Sequence, residues 1–187
     1  MKPVYISLFW MGISGLVVAV QAFNCFAAAN TLNHLTNWAW LLSGATAASF
    51  AVYRRLPFIW LYALTLGVAS FVAGAITALM AMDNLLVSRY VDEMGAGIVW
   101  SGNVLLHYAP LLWFFVLPEA KERLKTLSRQ SKVQLLAQVN LLPLLFVLLY
   151  GTWFDVRTEY PGERINFVTL YAAGFASQAL AGAALLC

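Results

Sequence analysis

The chain has 187 residues, of which 62% are hydrophobic and only 10% are charged. Soluble domains usually carry charged side chains at about 25% of their positions. This number of charges is too small to cover the surface of a soluble protein. The composition therefore excludes an ordinary soluble domain and predicts that lipid covers much of the surface. The formal net charge is only +3, but the distribution of the charges along the chain is informative.

Six long apolar runs occupy most of the chain, at 4–28, 31–53, 57–82, 97–118, 133–153 and 165–187. A bilayer core about 30 Å thick needs roughly 20 apolar residues per helix, and each run is long enough. In hydrocarbon only helices and closed barrels satisfy the backbone, and these runs lack the alternation of barrel strands. The sequence therefore predicts an all-α fold, with a single transmembrane domain over 1–187 built as a six-helix bundle.

The positive charges indicate how such a bundle is oriented. They gather at the amino end and in the second and fourth loops, as Lys2, Arg54, Arg55, Lys121, Arg123, Lys125, Arg129 and Lys132. Cytoplasmic loops of membrane proteins are enriched in Lys and Arg, and the other loops here hold most of the acidic residues. We therefore expect a multi-pass integral membrane protein with both termini in the cytoplasm. We also expect 119–132 to form a cytoplasmic helical extension of the fourth span.

Polar side chains within the spans are candidates for function. Asn103 and His107 lie four residues apart in the fourth span and so share one helix face. Thr36, Trp40 and Ser43 form a second stripe, in the second span. An Asn and a His facing lipid would be costly, so we expect the first stripe to face the bundle interior. Both stripes can be explained as interhelical contacts, and the tryptophan as part of an interfacial aromatic belt.

The same two stripes also contain the groups that a hydrolase needs. A hydroxyl is a weak nucleophile until an adjacent base removes its proton, and imidazole is the usual base. An asparagine amide can orient the imidazole or hold a developing oxyanion. The two cysteines, Cys25 and Cys187, have no spacing typical of a disulfide framework or a metal site. No metal or redox cofactor is implied.

Other polar and small residues within the spans predict structural contacts. We expect structural hydrogen bonds from Gln138, Asn140 and Gln178, and we expect Pro143 to kink the fifth helix and free a carbonyl. In the sixth span a face of small residues should admit a close neighbouring helix, and it consists of Gly174, Ser177 and Ala181. The two halves of the chain show no repeat, and no charge lies deep in a span. Both facts argue against a carrier or a proton-coupled pump.

Three stretches resemble the motifs of one membrane-protein family. They are Leu35-Thr36-Asn37-Trp38, then Asn103 followed by His107 and Pro110, then Gly151-Thr152-Trp153 with Tyr160-Pro161-Gly162 and Arg164-Ile165. In these the chain resembles the six-span family of androgen-induced-gene-type (FAR-17a-like) fatty-acid-ester hydrolases, the rolling-stone proteins and their bacterial relatives. The hydrolases carry an Asn-His-x-x-His motif, and the first of its histidines is Val104 here.

The resemblance implies an intramembrane hydrolase of lipid esters, with Thr36 as nucleophile and His107 as base. Asn103 would orient the imidazole, and Asn37 is a weaker candidate for the oxyanion. Ser43 remains the alternative nucleophile, because its depth along the second span is closer to that of the histidine. The implied partners are membrane lipids and a lipid ester, with no nucleic acid. The alternative is a non-enzymatic scaffold, a receptor or a cell-fusion protein of the rolling-stone type.

Overall fold

The computed structural model describes residues 3–24, 35–53, 58–82, 92, 95–113, 125–153 and 167–186. All regular elements in these ranges are helical, which confirms the predicted all-α class. They are α1 (Pro3–Asn24), α2 (Leu35–Tyr53), α3 (Ile59–Met82), α4 (Ala96–Asn103), a π-helical turn (Val104–Tyr108), α5 (Ala109–Leu112), α6 (Arg129–Trp153) and α7 (Phe167–Leu186). The segment from α4 through the π-helical turn to α5 has no break, so each apolar run contains one helical segment.

One helix meets the length and composition required to cross a bilayer. Within the described ranges this stretch is Ile59–Ala81 of α3, with 23 residues. A shorter apolar helical stretch, Val4–Val20, lies in α1. By length and composition α3 can therefore cross hydrocarbon.

α3 lies at the centre of the helix packing. It contacts α2, α6 and α7, whereas α1 packs mainly on α2. Small residues allow the close approach of α7, since a Cβ added at Gly74 would lie 2.5 Å from both the Ala173 carbonyl oxygen and the Ser177 Cβ. A Cβ at Gly174 would lie 2.7 Å from the ring of Phe71. The prediction that the last helix uses small residues to admit a close neighbour is thus confirmed at Gly174 and Ser177, which pack against α3.

The structure corrects one expected boundary, at the start of α6. Ser128 caps this helix, because its Oγ accepts a hydrogen bond from the Ser131 N–H at 3.1 Å and lies 2.9 Å from the Ser131 Oγ. Ser is a favoured N-cap residue because its oxygen satisfies an amide that has no partner inside the helix. Residues 129–132 therefore form the first turn of α6, and the prediction that the preceding helix extends to Lys132 is wrong. Residues 114–124 lie outside the described ranges.

Candidate functional site

His107 lies in the π-helical turn, Val104–Tyr108, where its side chain is partly buried. Pro110 lies two residues after the end of this turn, is buried, and has no backbone N–H to donate to the carbonyl of Leu106, four residues earlier. Its ring would also clash with that carbonyl in a regular α-helix, which accounts for the wider turn. π-helical turns of this kind are frequent at functional sites.

Trp40 of α2 supplies the hydrogen bond that Pro110 cannot. Its indole Nε1 donates to the carbonyl oxygen of Leu106 at 2.8 Å. The Trp40 side chain is completely buried, so its interpretation as part of an interfacial aromatic belt is wrong. The bond fixes α2 against the turn that carries His107. The hydroxyl stripe of the second apolar run and the histidine of the fourth therefore lie on helical segments that are in direct contact.

Tyr108, the residue after His107, is also bonded to another helix. The Tyr108 hydroxyl lies 2.7 Å from the Thr77 Oγ1 of α3, and the Thr77 hydroxyl lies 2.6 Å from the Ala73 carbonyl oxygen. Thr77 therefore donates within its own helix and accepts from Tyr108. Both chain neighbours of His107 are thus bonded to other helices, one to α2 and one to α3. Such contacts limit the movement of the histidine.

The other predicted site residues are distributed along α2 and α4. Thr36 lies in the first turn of α2 and is partly buried, and Asn37 next to it is almost completely buried. Ser43 is buried, and its Oγ donates to the Trp40 carbonyl at 2.9 Å, which is a bond within its own helix. Asn103 is the last residue of α4, and its side chain lies outside the described part of the structure.

A stack of three tryptophans lies beside this region and was not predicted. The Trp10 ring of α1 stacks on Trp40 with centroids 5.3 Å apart and on Trp113 with centroids 5.1 Å apart. The indole N–H groups of Trp10 and Trp113 are buried without a hydrogen-bond partner. Their apolar runs are hydrophobic on all sides, so no periodicity in the sequence indicated which tryptophans face inward. The stack joins α1 to the site through Trp40.

A second proline produces the same arrangement elsewhere in the bundle. Pro143 leaves the carbonyl of Val139 in α6 without its helical donor, and the side-chain amide of Gln178 in α7 donates to that carbonyl. Gly67 of α3 packs directly against the same carbonyl, where a Cβ would overlap it. The prediction of a structural contact is confirmed for Gln178. It is also confirmed for Asn140, whose side-chain amide donates to the Leu136 carbonyl of its own helix at 2.7 Å.

No protein-family model, no curated protein and no solved structure matches the chain. Within the described ranges, no group of His, Cys, Asp and Glu side chains is arranged to hold a metal ion. A function for this site therefore has to be argued from the chemistry of its own residues.

Proposed function

We propose that the chain is a six-span integral membrane protein with both termini in the cytoplasm, and that it hydrolyses lipid esters between α2 and the π-helical turn. The composition and the spanning length of α3 support the membrane location. So do large apolar side chains on the outside of the helices, such as Val52 at 72% exposure and Val168 at 77%. Lipid would cover these side chains, whereas water would not favour them.

The proposed reaction uses Thr36 as nucleophile and His107 as base. The Thr36 Oγ attacks the ester carbonyl carbon while His107 takes its proton, and the imidazolium then protonates the departing alcohol. Water then attacks the acyl-enzyme while His107 takes its proton, and His107 passes that proton to the departing Thr36 Oγ as the acid is released. Asn103 would orient the imidazole, and the amide of Asn37 would hold the oxyanion. No metal or redox cofactor takes part.

One observation carries the proposal, which is that both chain neighbours of His107 are bonded to other helices. Catalytic side chains have to be kept close to the productive geometry by the contacts around them. The bonds from Trp40 to Leu106 and from Tyr108 to Thr77 lie on either side of the histidine and come from two different helices. Thr36 precedes Trp40 by one turn of α2 and so lies on the same face. These contacts support a histidine positioned next to the hydroxyl stripe.

Ser43 is the alternative nucleophile. It is buried and on the same stripe, but its hydroxyl already donates to the Trp40 carbonyl. To attack an ester, the Ser43 hydroxyl would have to give up that bond and turn toward the histidine. Thr36 needs no such change in the bonds described, which keeps it as the first candidate.

A non-enzymatic membrane scaffold is the second candidate, and a specific observation favours it. Polar groups elsewhere in the bundle join helices to one another, as Gln178 does with Val139 and as Thr46 does with Thr65 at 2.9 Å between hydroxyl oxygens. Interhelical bonds of this kind stabilise membrane bundles without any chemistry. In this candidate His107 is one more such group.

The test is ester turnover by the purified protein in detergent, measured on a panel of lipid esters. His107→Ala should reduce turnover by about a hundred- to ten-thousand-fold, since general-base catalysis contributes that much. Thr36→Ala should be comparably severe, because nucleophile and base act as a unit, while Ser43→Ala should have a small effect. Ser101→Ala is the matched control, because this exposed hydroxyl bonds only within α4. A folded wild-type protein that hydrolyses none of the esters would leave the scaffold as the function.

A further inference from the structure

The outer surface of α6 carries a row of exposed residues, which we call the α6 seam. It consists of Val133, Ala137, Asn140 and Leu144. Their spacing of four, three and four residues places them on one side of the helix. Leu135 and Val139 lie on the opposite side, where they are buried against the bundle. Within the described part of the chain, no other helix covers the seam.

Asn140 is an exposed polar side chain near the middle of this apolar seam. It lies about 16 Å along the axis of α6 from Arg129, at about 1.5 Å per residue. That distance is about half of a hydrocarbon core about 30 Å thick. One N–H of its amide donates to the Leu136 carbonyl, but the second N–H and the Oδ1 make no bond within the described residues. Acyl chains at this depth offer neither donors nor acceptors, so lipid would leave both groups unpaired.

The spacing of the seam is typical of two helices packed side by side. Alternating steps of four and three residues form the heptad repeat of a parallel helix pair, and helices in membranes often pack with the same geometry. A single Asn in such a repeat sets the register and the number of helices. A carboxamide both donates and accepts, so the same residue of a second copy is complementary to Asn140. A two-fold axis places identical residues opposite one another, which brings the two amides together.

We infer that a second copy of this chain covers the α6 seam, and that the two Asn140 amides hydrogen-bond to each other at the centre of the interface. Both copies have the same orientation in one membrane, so the two-fold axis runs along the membrane normal and the two α6 helices are parallel. The second N–H of one amide then donates to the Oδ1 of the other, while the bond to Leu136 is kept. This inference rests on the membrane location proposed above but not on ester hydrolysis.

Disulfide cross-linking in membranes tests which side of α6 meets the second copy. Leu144→Cys is introduced into a protein in which Cys25 and Cys187 are replaced by serine, and the membranes are oxidised with copper phenanthroline. A disulfide requires Cα atoms within about 7 Å, so this variant should form a covalent dimer. Leu145→Cys is the matched control, because this exposed side chain points about 100° away from the seam and should not cross-link.

Equal cross-linking of the two cysteine variants, or no dimer from Leu144→Cys, overturns the interface. A cross-linked product with a mass other than that of two chains also overturns it, because another membrane protein then covers the seam.

Sedimentation equilibrium of the purified protein in detergent tests the role of the amide. The dissociation constant of the dimer should rise by about threefold to twentyfold in Asn140→Leu, the range for one interhelical hydrogen bond. Gln134→Leu is the matched control, since it removes an exposed carboxamide of α6 that lies outside the seam, and its dissociation constant should not change. An equal effect of the two substitutions, or none in Asn140→Leu, overturns the pairing of the amides. A wild-type protein that hydrolyses esters as a monomer at every concentration refutes the dimer alone. A dimer that hydrolyses none of the esters refutes the hydrolase alone.

Discussion

The side-chain amide of Gln178 donates to the backbone carbonyl of Val139, and this bond crosses from α7 to α6. It replaces the amide that Pro143 lacks, just as the indole of Trp40 replaces the amide that Pro110 lacks. In each case a proline frees a carbonyl in one helix, and a buried side chain of another helix becomes its donor. The two prolines therefore account for two of the specific bonds that join the helices.

The first prediction concerns the bond between Gln178 and Val139. Gln178→Leu should lower the free energy of unfolding by about 0.6 kcal/mol, and by no more than about 1.7 kcal/mol, the range measured for interhelical hydrogen bonds. Pro143→Ala gives the Val139 carbonyl a donor within its own helix, so the same glutamine substitution should cost less in that background. Thermal unfolding in detergent measures both differences. Equal costs in the two backgrounds would show that the proline does not create the need for Gln178.

The second prediction concerns Trp40 and the π-helical turn. Trp40→Phe keeps an aromatic ring against Trp10 but removes the N–H that bonds Leu106. If the hydrolase proposal holds, turnover should fall by up to about a hundredfold, because small displacements of a catalytic group are that costly. Most of the loss should appear in kcat, since the groups that react are unchanged. Steady-state kinetics of the two proteins, on the lipid ester that the wild-type protein hydrolyses, would measure the change in kcat.

Pro110→Ala provides the control for this second prediction. The new N–H can bond the Leu106 carbonyl within the helix, so Trp40→Phe should be less destabilising when Pro110 is already alanine. Turnover should nevertheless stay low in the double variant, because the segment that carries His107 is no longer bonded to α2. Full activity in the double variant would mean that the geometry around His107 does not matter.

The helices and one of the two freed carbonyls could be predicted from the sequence. Long apolar runs predict helices because hydrocarbon and tight packing both require backbone groups to be bonded locally. Pro143 predicts a freed carbonyl from its missing N–H alone. The donor could not be predicted, since Gln178 is 39 residues away from Val139 and Trp40 is 66 residues away from Leu106. Such pairs depend on which helices pack together.

The candidate site was less predictable than the fold. The assignments of Thr36 and His107 came from the resemblance and remain predictions. Trp40 belongs to the predicted stripe on the second run, but its role as a donor to Leu106 depends on the π-helical turn, which sequence rules do not locate. Trp10 and Trp113 lie in runs that are apolar on every side, so their stacking left no periodic signal.

The third prediction tests the contact of Gly67 with the Val139 carbonyl. Gly67→Ala should lower the free energy of unfolding by about 1–3 kcal/mol, because the new methyl overlaps backbone and forces α3 away from α6. Gly97→Ala is the control, since a Cβ there meets nothing within 4 Å. This second change should be neutral or stabilising by up to about 1 kcal/mol, through the higher helix propensity of alanine. Comparable unfolding temperatures for both variants would contradict the close contact of α3 with α6.

The fourth prediction tests the packing of α7 on α3. Gly174→Leu should strongly destabilise the protein, because its side chain would have to occupy the place of the Phe71 ring. Val168→Leu should be tolerated, since this side chain is 77% exposed on the outside of the same helix. Expression level and thermal unfolding in detergent distinguish the two. Similar tolerance at both positions would mean that α7 presents a different face to the bundle.

The fifth prediction concerns the proposed topology. Reporter tags placed after Arg55 or near Lys121 should be cytoplasmic, and tags near Asp92 or Glu159 should be on the opposite side, since positive loops stay inside. Accessibility of each tag in intact cells and in permeabilised cells gives the answer. A tag near Glu159 that is reached only after permeabilisation of the plasma membrane would reverse the orientation. The tags belong before Ser128, because α6 begins directly after it.

The two proline-linked bonds differ in the order in which a ribosome makes their partners. Chains are synthesised from the amino end, so Trp40 is already present when Leu106 emerges, but Val139 emerges before Gln178. In the proposed membrane, an unpaired carbonyl costs several kcal/mol. The Leu106 carbonyl can accept its bond from Trp40 as soon as the segment from α4 to α5 inserts. The Val139 carbonyl of α6 can accept its bond from Gln178 only after α7 has been made. Between the synthesis of α6 and that of α7, the Val139 carbonyl therefore lacks the donor that Gln178 supplies in the folded protein.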